Sequence, residues 1–136
     1  MKLAIVGSRE YKNENKIRKF LELVNARYGD KLVVVSGGCP NGADFLAKKV
    51  ALDMELQYVE FPPIHSGHNC YCILPAENYN KPYKVSNFFT RNTQIAEFCD
   101  YLAAFVVHGI KANGTMDTAT KAKKMGKRVF IYKDGK

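Results

Sequence analysis

The chain has 136 residues, of which 46% are hydrophobic and 25% charged. That balance belongs to a soluble globular domain and excludes wholesale disorder. No apolar run reaches the roughly 18–20 residues of a membrane helix, so no membrane association is expected. The formal net charge is +8, with a pI near 9.3, which raises nucleic acid as a partner.

The opening segment Met1-Lys2-Leu3-Ala4-Ile5-Val6-Gly7 holds one charged side chain and too short an apolar run for a signal peptide. It reads as the first strand of a cytoplasmic protein. Four more short apolar runs follow at 32–35, 57–61, 101–107 and 128–132, each continuous rather than alternating. Continuous runs suit strands buried on both faces of a parallel sheet. Between them the apolar residues fall at helical spacing. Ile17, Phe20, Leu21, Val24 and Tyr28 form one stripe, and Ala43, Leu46, Ala47, Val50, Ala51 and Met54 another. Gly29 and Gly126 are placed to end helices. A third helix is predicted over 86–100, with Asn92 on its inward line. A fourth, over 115–125, shows the small face Thr115, Ala119 and Ala122. Strands alternating with helices at this spacing predict one α/β domain over 1–136. The predicted architecture is a Rossmann-like three-layer sandwich of about five mainly parallel strands and four helices.

One stretch breaks this rhythm. Residues 62–86 contain Pro62, Pro63, Pro75 and Pro82 without a sustained period, and so long an excursion in a small domain reads as a functional loop. It carries His65, His68, Cys70 and Cys72. Four such ligand types within eight residues are a possible tetrahedral zinc set. The Cys-x-Cys spacing is tighter than the usual pair, however, and favours a lid whose Tyr71, Tyr79 and Tyr83 pack near a base. Neither a metal nor a cofactor is therefore expected. Cys39 and Cys99 read as small core residues, and without a sign of secretion the four cysteines do not make a disulfide framework.

In an open α/β sheet, ligands bind beyond the carboxyl ends of the strands. There the sequence places Gly7-Ser8-Arg9 after the first strand and Ser36-Gly37-Gly38 through Gly42-Ala43-Asp44 after the second. Gly114-Thr115 follows the fourth. Glycine turns that open helices expose backbone N–H groups to an anion, most naturally phosphate. The glycine spacing matches neither a P-loop nor the three-glycine dinucleotide fingerprint, which disfavours ATP hydrolysis and NAD chemistry. Arg91 has two readings, a solvated helix-surface cation or a clamp that forks onto two phosphate oxygens. The basic excess is uneven: residues 111–136 carry eight basic side chains against Asp117 and Asp134, six of the eight net charges. This segment is either a solvated face, a nucleic-acid contact, or a field that helps draw a phosphorylated ligand to the glycine edge.

Taken in order, Gly7-Ser8-Arg9 with Tyr11, Ser36-Gly37-Gly38, Gly42-Ala43-Asp44, Arg91-Asn92 and Gly114-Thr115-Met116-Asp117 resemble the SLOG superfamily. The resemblance is nearest to its small YspA/YpsA-like branch and covers most of the chain outside the 62–86 excursion. It implies a nucleotide-binding Rossmann-like fold, with relatives that include Lonely Guy phosphoribohydrolases, molybdenum-cofactor carriers, the DNA-processing DprA family and antiviral sensors. By that resemblance Gly37, Gly38, Gly42 and Asp44 line the site, Arg91, Asn92, Gly114 and Thr115 face them, and Arg9 approaches the phosphate. The chain departs from the Gly-Thr-x-x-Glu pattern of Lonely Guy enzymes, because Thr118 stands where they have a catalytic glutamate. Asp117 is one residue early, about 100° around the helix. Asp44 and Asp117 remain a candidate acid/base pair for an N-glycosidic bond. Each also has the plainer reading of an acid in a helix's first turn, and for Asp44 a contact to a ribose hydroxyl.

The expectation is thus a protein that binds a phosphorylated, nucleotide-type small molecule at the carboxyl edge of its sheet, as sensor, carrier or sequestering protein. The alternatives are a nucleotide N-glycoside hydrolase and a DprA-like nucleic-acid binder. By analogy with related folds that pair through helices, a homo-oligomer is also expected.

Overall fold

The computed structural model describes residues 1–37, 41–61 and 85–134, with 85–90 described by backbone alone. Five strands and four α-helices alternate along it. They are β1 (Lys2–Gly7), α1 (Glu14–Tyr28), β2 (Val33–Ser36), α2 (Gly42–Asp53), β3 (Gln57–Glu60), α3 (Val85–Phe98), β4 (Tyr101–Val107), α4 (Asn113–Lys124) and β5 (Arg128–Asp134). The strands form one sheet in the order β3-β2-β1-β4-β5, and every pairing is parallel. The predicted α/β, Rossmann-like arrangement of five strands and four helices is the one observed.

Continuous apolar strands arise because successive side chains go to opposite faces and both faces are covered. On one face Leu3, Ile5, Val34 and Phe105 pack against Ile17 and Leu21 of α1 and Ala47 and Val50 of α2. On the other, Ala4, Val6, Val35, Leu102 and Ala104 meet Ile95, Ala96 and Cys99 beside α3, and Ala119 and Ala122 of α4. Each fully buried Leu or Ile contributes about 1.5–3 kcal/mol relative to exposure. The small residues of α4 bring that helix close to the sheet, as its sequence predicts.

The element ends have local causes. The Asn13 side chain caps α1 by accepting from Lys16 N–H at 3.2 Å. Glu14 in its first turn takes Arg18 at 3.0 Å and Lys49 of α2 at 2.9 Å, which ties the two helices together. A 3₁₀ turn over Gly29–Lys31 follows, and Leu32 N–H donates back to Gly29. Leu32 therefore belongs to the turn, so β2 begins one residue later than the apolar run. Strand β2 gains Ser36 at its far end, where the Ser36 carbonyl accepts from Phe61 N–H at 2.9 Å. Lys127 closes α3, its ammonium donating to the carbonyls of Glu97 at 3.1 Å and Cys99 at 2.6 Å. Cys99 is fully buried, and burial pushes its thiol pKa up. It is the inert core residue the sequence predicts.

Candidate functional site

Because β1 has β2 on one side and β4 on the other, chain direction across the sheet reverses at the β1–β4 boundary. In open α/β sheets, ligands bind at such a boundary, beyond the carboxyl ends of the strands. Gly7 ends β1 at this boundary: a Cβ there would meet the Phe105 carbonyl and the Ala43 side chain. Ser8 N–H donates to the Phe105 carbonyl at 3.0 Å, and the Ser8 carbonyl accepts from Tyr11 and from Ala43, both at 3.2 Å. The loop after β1 is thereby clamped to the first turn of α2. Gly42 is required at this clamp, since its φ is +74° and a Cβ would collide with the backbone of Ser8 and Arg9. Beside the clamp lies an open cleft of about 730 Å³, lined by Arg9, Glu10, Tyr11, Lys12, Asn41, Gly42, Phe45 and Leu46. The Ser8 hydroxyl is buried and donates to Glu10 at 3.0 Å, so its visible work is to shape this loop.

A second group gathers around Gly37. Arg91 projects from α3, and its Nη1 donates to the Gly37 carbonyl at 2.8 Å. Its Nε donates to Asn92 Oδ1 at 3.0 Å. A Cβ on Gly37 would strike the Arg91 guanidinium and lie 2.9 Å from Asp44 Oδ2. Glycine at 37 is thus what lets a cation from α3 and a buried carboxylate from α2 close on one point of the β2 loop. Asn92 continues the chain of contacts. Its amide donates to the Gly114 carbonyl at 3.3 Å and to Asp117 Oδ2 at 3.2 Å, and Asp117 pairs with Lys121 at 3.0 Å. The inward amide that the sequence left between structural tie and site residue is at least the tie joining α3 to α4. Thr115 is buried, and Thr118, also buried, donates to the Gly114 carbonyl at 3.1 Å. The position that holds glutamate in Lonely Guy enzymes is therefore turned into the protein in this chain.

A third group was not foreseen. Ser36 and Tyr58 hydroxyls lie 2.5 Å apart, Tyr58 donates to Glu60 at 2.9 Å, and Glu60 pairs with Lys48 of α2 at 3.1 Å. Because the single Tyr58 proton goes to Glu60, Ser36 is the donor to Tyr58. Burial chiefly, with the charges of Glu60 and Asp44 adding to it, pushes the Tyr58 pKa far above that of an ordinary phenol. The signal was available as Tyr58 and Glu60 on one face of β3 at spacing two. Only the fold, though, puts Ser36 and Lys48 beside them.

The predicted residues thus fall into two adjoining sets: Gly7, Ser8, Arg9 and Gly42 at the clamp, and Ser36, Asp44 and Arg91 about Gly37, with Asn92 linking Arg91 to Gly114 and Asp117 beside the buried Thr115. Gly38, Cys39, His65, His68, Cys70 and Cys72, and the lid tyrosines, lie outside the described residues. Among the described residues no group of three or more His, Cys, Asp or Glu side chains is placed to hold a metal ion. None of their helices is long and apolar enough to cross a membrane.

A family model described as YspA, cpYpsA-related SLOG family matches residues 1–68, half of the chain. The chain belongs to this family. No curated protein matches it. Among solved structures, the chain is similar to the molybdenum cofactor binding protein from the phototrophic bacterium Rippkaea orientalis. The TM-score is 0.67 at 18% identity, over 98% of this chain and 76% of that one. At that identity the likeness shows the fold, and it agrees with the topology described above.

Proposed function

We propose that this SLOG-family chain binds a phosphorylated, nucleotide-type small molecule at the carboxyl edge of its sheet. The observation that carries the reading is the meeting of Arg91 and Asp44 on Gly37. A guanidinium carried from α3, anchored by the Gly37 carbonyl and by Asn92, is held beside the first turn of α2. The positive end of that helix and the Arg91 charge favour an anion beside them, and the Asp44 carboxylate in the same turn offsets part of that field. In this reading Arg91 and the turn-forming residues Gly37 and Gly42 take a phosphate, with Gly114 and Thr115 completing the cradle. Asp44 accepts from a ribose hydroxyl, Arg9 meets the phosphate from the β1 side, and Ser36 fixes the β2 edge through Tyr58. The structural neighbour's own ligand, a molybdenum cofactor, supports a small molecule rather than a polymer as the occupant. Asp117 is engaged by Asn92 and Lys121, an anchoring arrangement, and no described contact favours the hydrolase reading over plain binding.

Thermal unfolding against a panel of nucleosides and nucleoside mono-, di- and triphosphates tests this. A ligand at 100 times its Kd adds about 2.7 kcal/mol, a rise of roughly 10 °C in a domain of this size. We expect at least one phosphorylated compound to give such a rise. Arg91→Ala should weaken it about 10- to 100-fold, the loss of a charge-assisted contact of about 1.5–3 kcal/mol. Equal response to nucleosides lacking phosphate, or no response to the whole panel, contradicts the proposal.

A further inference from the structure

Strand β5 ends the sheet on one side, and among the described residues it pairs with β4 alone. His108 N–H donates to the Asp134 carbonyl at 2.8 Å, from the β4 side. Backbone direction alternates along a strand, so the even-numbered residues of β5 turn their N–H and C=O toward β4. Val129, Ile131 and Lys133 turn theirs outward. Natural edges of this kind are commonly short, bulged or densely charged. This one runs seven residues with Arg128, Lys133 and Asp134 toward its ends, and between them it exposes Phe130 and Ile131, at 43% and 41%, on opposite faces.

We propose that β5 is a self-association edge, at which two copies of the chain join antiparallel about a two-fold axis through Ile131. Full overlap of Arg128–Asp134 with itself can centre only on its middle residue, and that register is self-complementary. It sets Ile131 against Ile131, and Val129 against Lys133, using the outward N–H and C=O groups of all three. It sets Phe130 against Tyr132 and Arg128 against Asp134 at the non-hydrogen-bonded positions, where opposed side chains approach closest. Aromatic pairs and opposite charges are the cross-strand pairs that stabilise a sheet. Asp134 already accepts from Asn13 at 3.1 Å and faces Lys16 at 3.8 Å. Its carboxylate retains acceptor capacity for an arginine. Of the other large exposed apolar side chains, Leu23 stands on α1 and Met116 on α4, while Phe45 and Leu52 share α2, with Phe45 at the cleft beside Gly42. This pairing runs through the sheet edge, where the pairing expected by analogy runs through helices. The result is a ten-stranded sheet with two carboxyl edges facing opposite ways.

Sedimentation velocity of the purified chain across the micromolar range tests the proposal. We expect a dimer, and Ile131→Pro should abolish it with the circular dichroism unchanged. The lost N–H faces away from β4, and proline is tolerated on an edge in that orientation. As a control independent of proline, Arg128→Asp should weaken the dimer about tenfold. Adding Asp134→Arg to it should restore the dimer. A wild type that stays monomeric, a dimer that survives Ile131→Pro, or a folded charge-reversed double variant that fails to regain the dimer would each overturn the proposal.

Discussion

Two glycines at the carboxyl edge separate what the chain needs to fold from what it needs to bind. At Gly42 a methyl would meet backbone atoms of Ser8 and Arg9 at a φ of +74°, and neither neighbour can yield. Gly42→Ala should therefore lower stability by about 1–3 kcal/mol, read as a lower denaturation midpoint. At Gly37 the methyl would meet the far end of the Arg91 side chain and the Asp44 carboxylate, which can swing away. Gly37→Ala should cost less than about 1 kcal/mol of stability and yet abolish the nucleotide-induced rise in melting temperature. If Gly37→Ala melts as low as Gly42→Ala and keeps its ligand response, the assignment of Gly37 to the site is wrong. Tyr11 presents the reverse case. Its hydroxyl is buried with no hydrogen-bond partner among the described residues, while its ring packs on Phe105 at 5.5 Å. Removing an unsatisfied buried hydroxyl without changing shape is neutral or favourable, so Tyr11→Phe should leave the melting temperature unchanged or raise it.

At the scale of elements, the sequence was most legible where one strand or helix carries its own signal. The five apolar runs and the stripes of α1, α2 and α4 depend on local periodicity, which a single chain displays without knowledge of its partners. The boundaries were less legible because contacts from elsewhere decide them. The end of α3 is closed by Lys127, and Ser36 is drawn into β2 by pairing with β3. The candidate site divides in the same way. Gly37, Gly42 and Arg91 were visible as turn glycines and a helix cation beside an inward amide. Tyr58, Glu60 and Lys48 were not, because their hydrogen-bonded chain to Ser36 draws on three elements that only the folded sheet brings together. Asn92 was visible as an anomaly, an amide on an apolar line, but its partners Gly114 and Asp117 were not.

At the scale of the molecule, charge and pH responses follow from placement. In a parallel α/β sheet the helices run against the strands, so of the last-turn lysines of α4, Lys123 and Lys124 lie at the end far from the carboxyl edge, while Lys121 reaches back to Asp117 at 3.0 Å. Lys124 lies roughly 15 Å along the axis from Gly114, beyond the screening length of about 8 Å at physiological salt. Lys123 and Lys124 thus complement the α4 dipole rather than drawing a ligand to the carboxyl edge. Alkaline pH should act through the phenols. Burial raises the pKa of Tyr58, Tyr11 and Tyr101 in the folded chain, so their contribution is complete below the unfolded value of about 10 and is lost as pH rises above it. The melting temperature should fall above about pH 10, and less steeply in Tyr58→Phe. A profile unchanged by that substitution would contradict the burial assigned to Tyr58. The acid side runs in the opposite sense. Hydrogen bonds from Lys49 and Arg18 lower the Glu14 pKa, so that tie between α1 and α2 holds above the ordinary carboxylate range and is lost as pH falls below it.

Mass spectrometry of small molecules released by heat from the purified chain bears most directly on the binding reading, with Arg91→Ala prepared in parallel. The account predicts a phosphorylated, nucleotide-type compound released from the wild type and depleted in the variant. Wild-type protein, folded and purified from cells, that releases no such compound and gains no thermal stability from added nucleotides would contradict it.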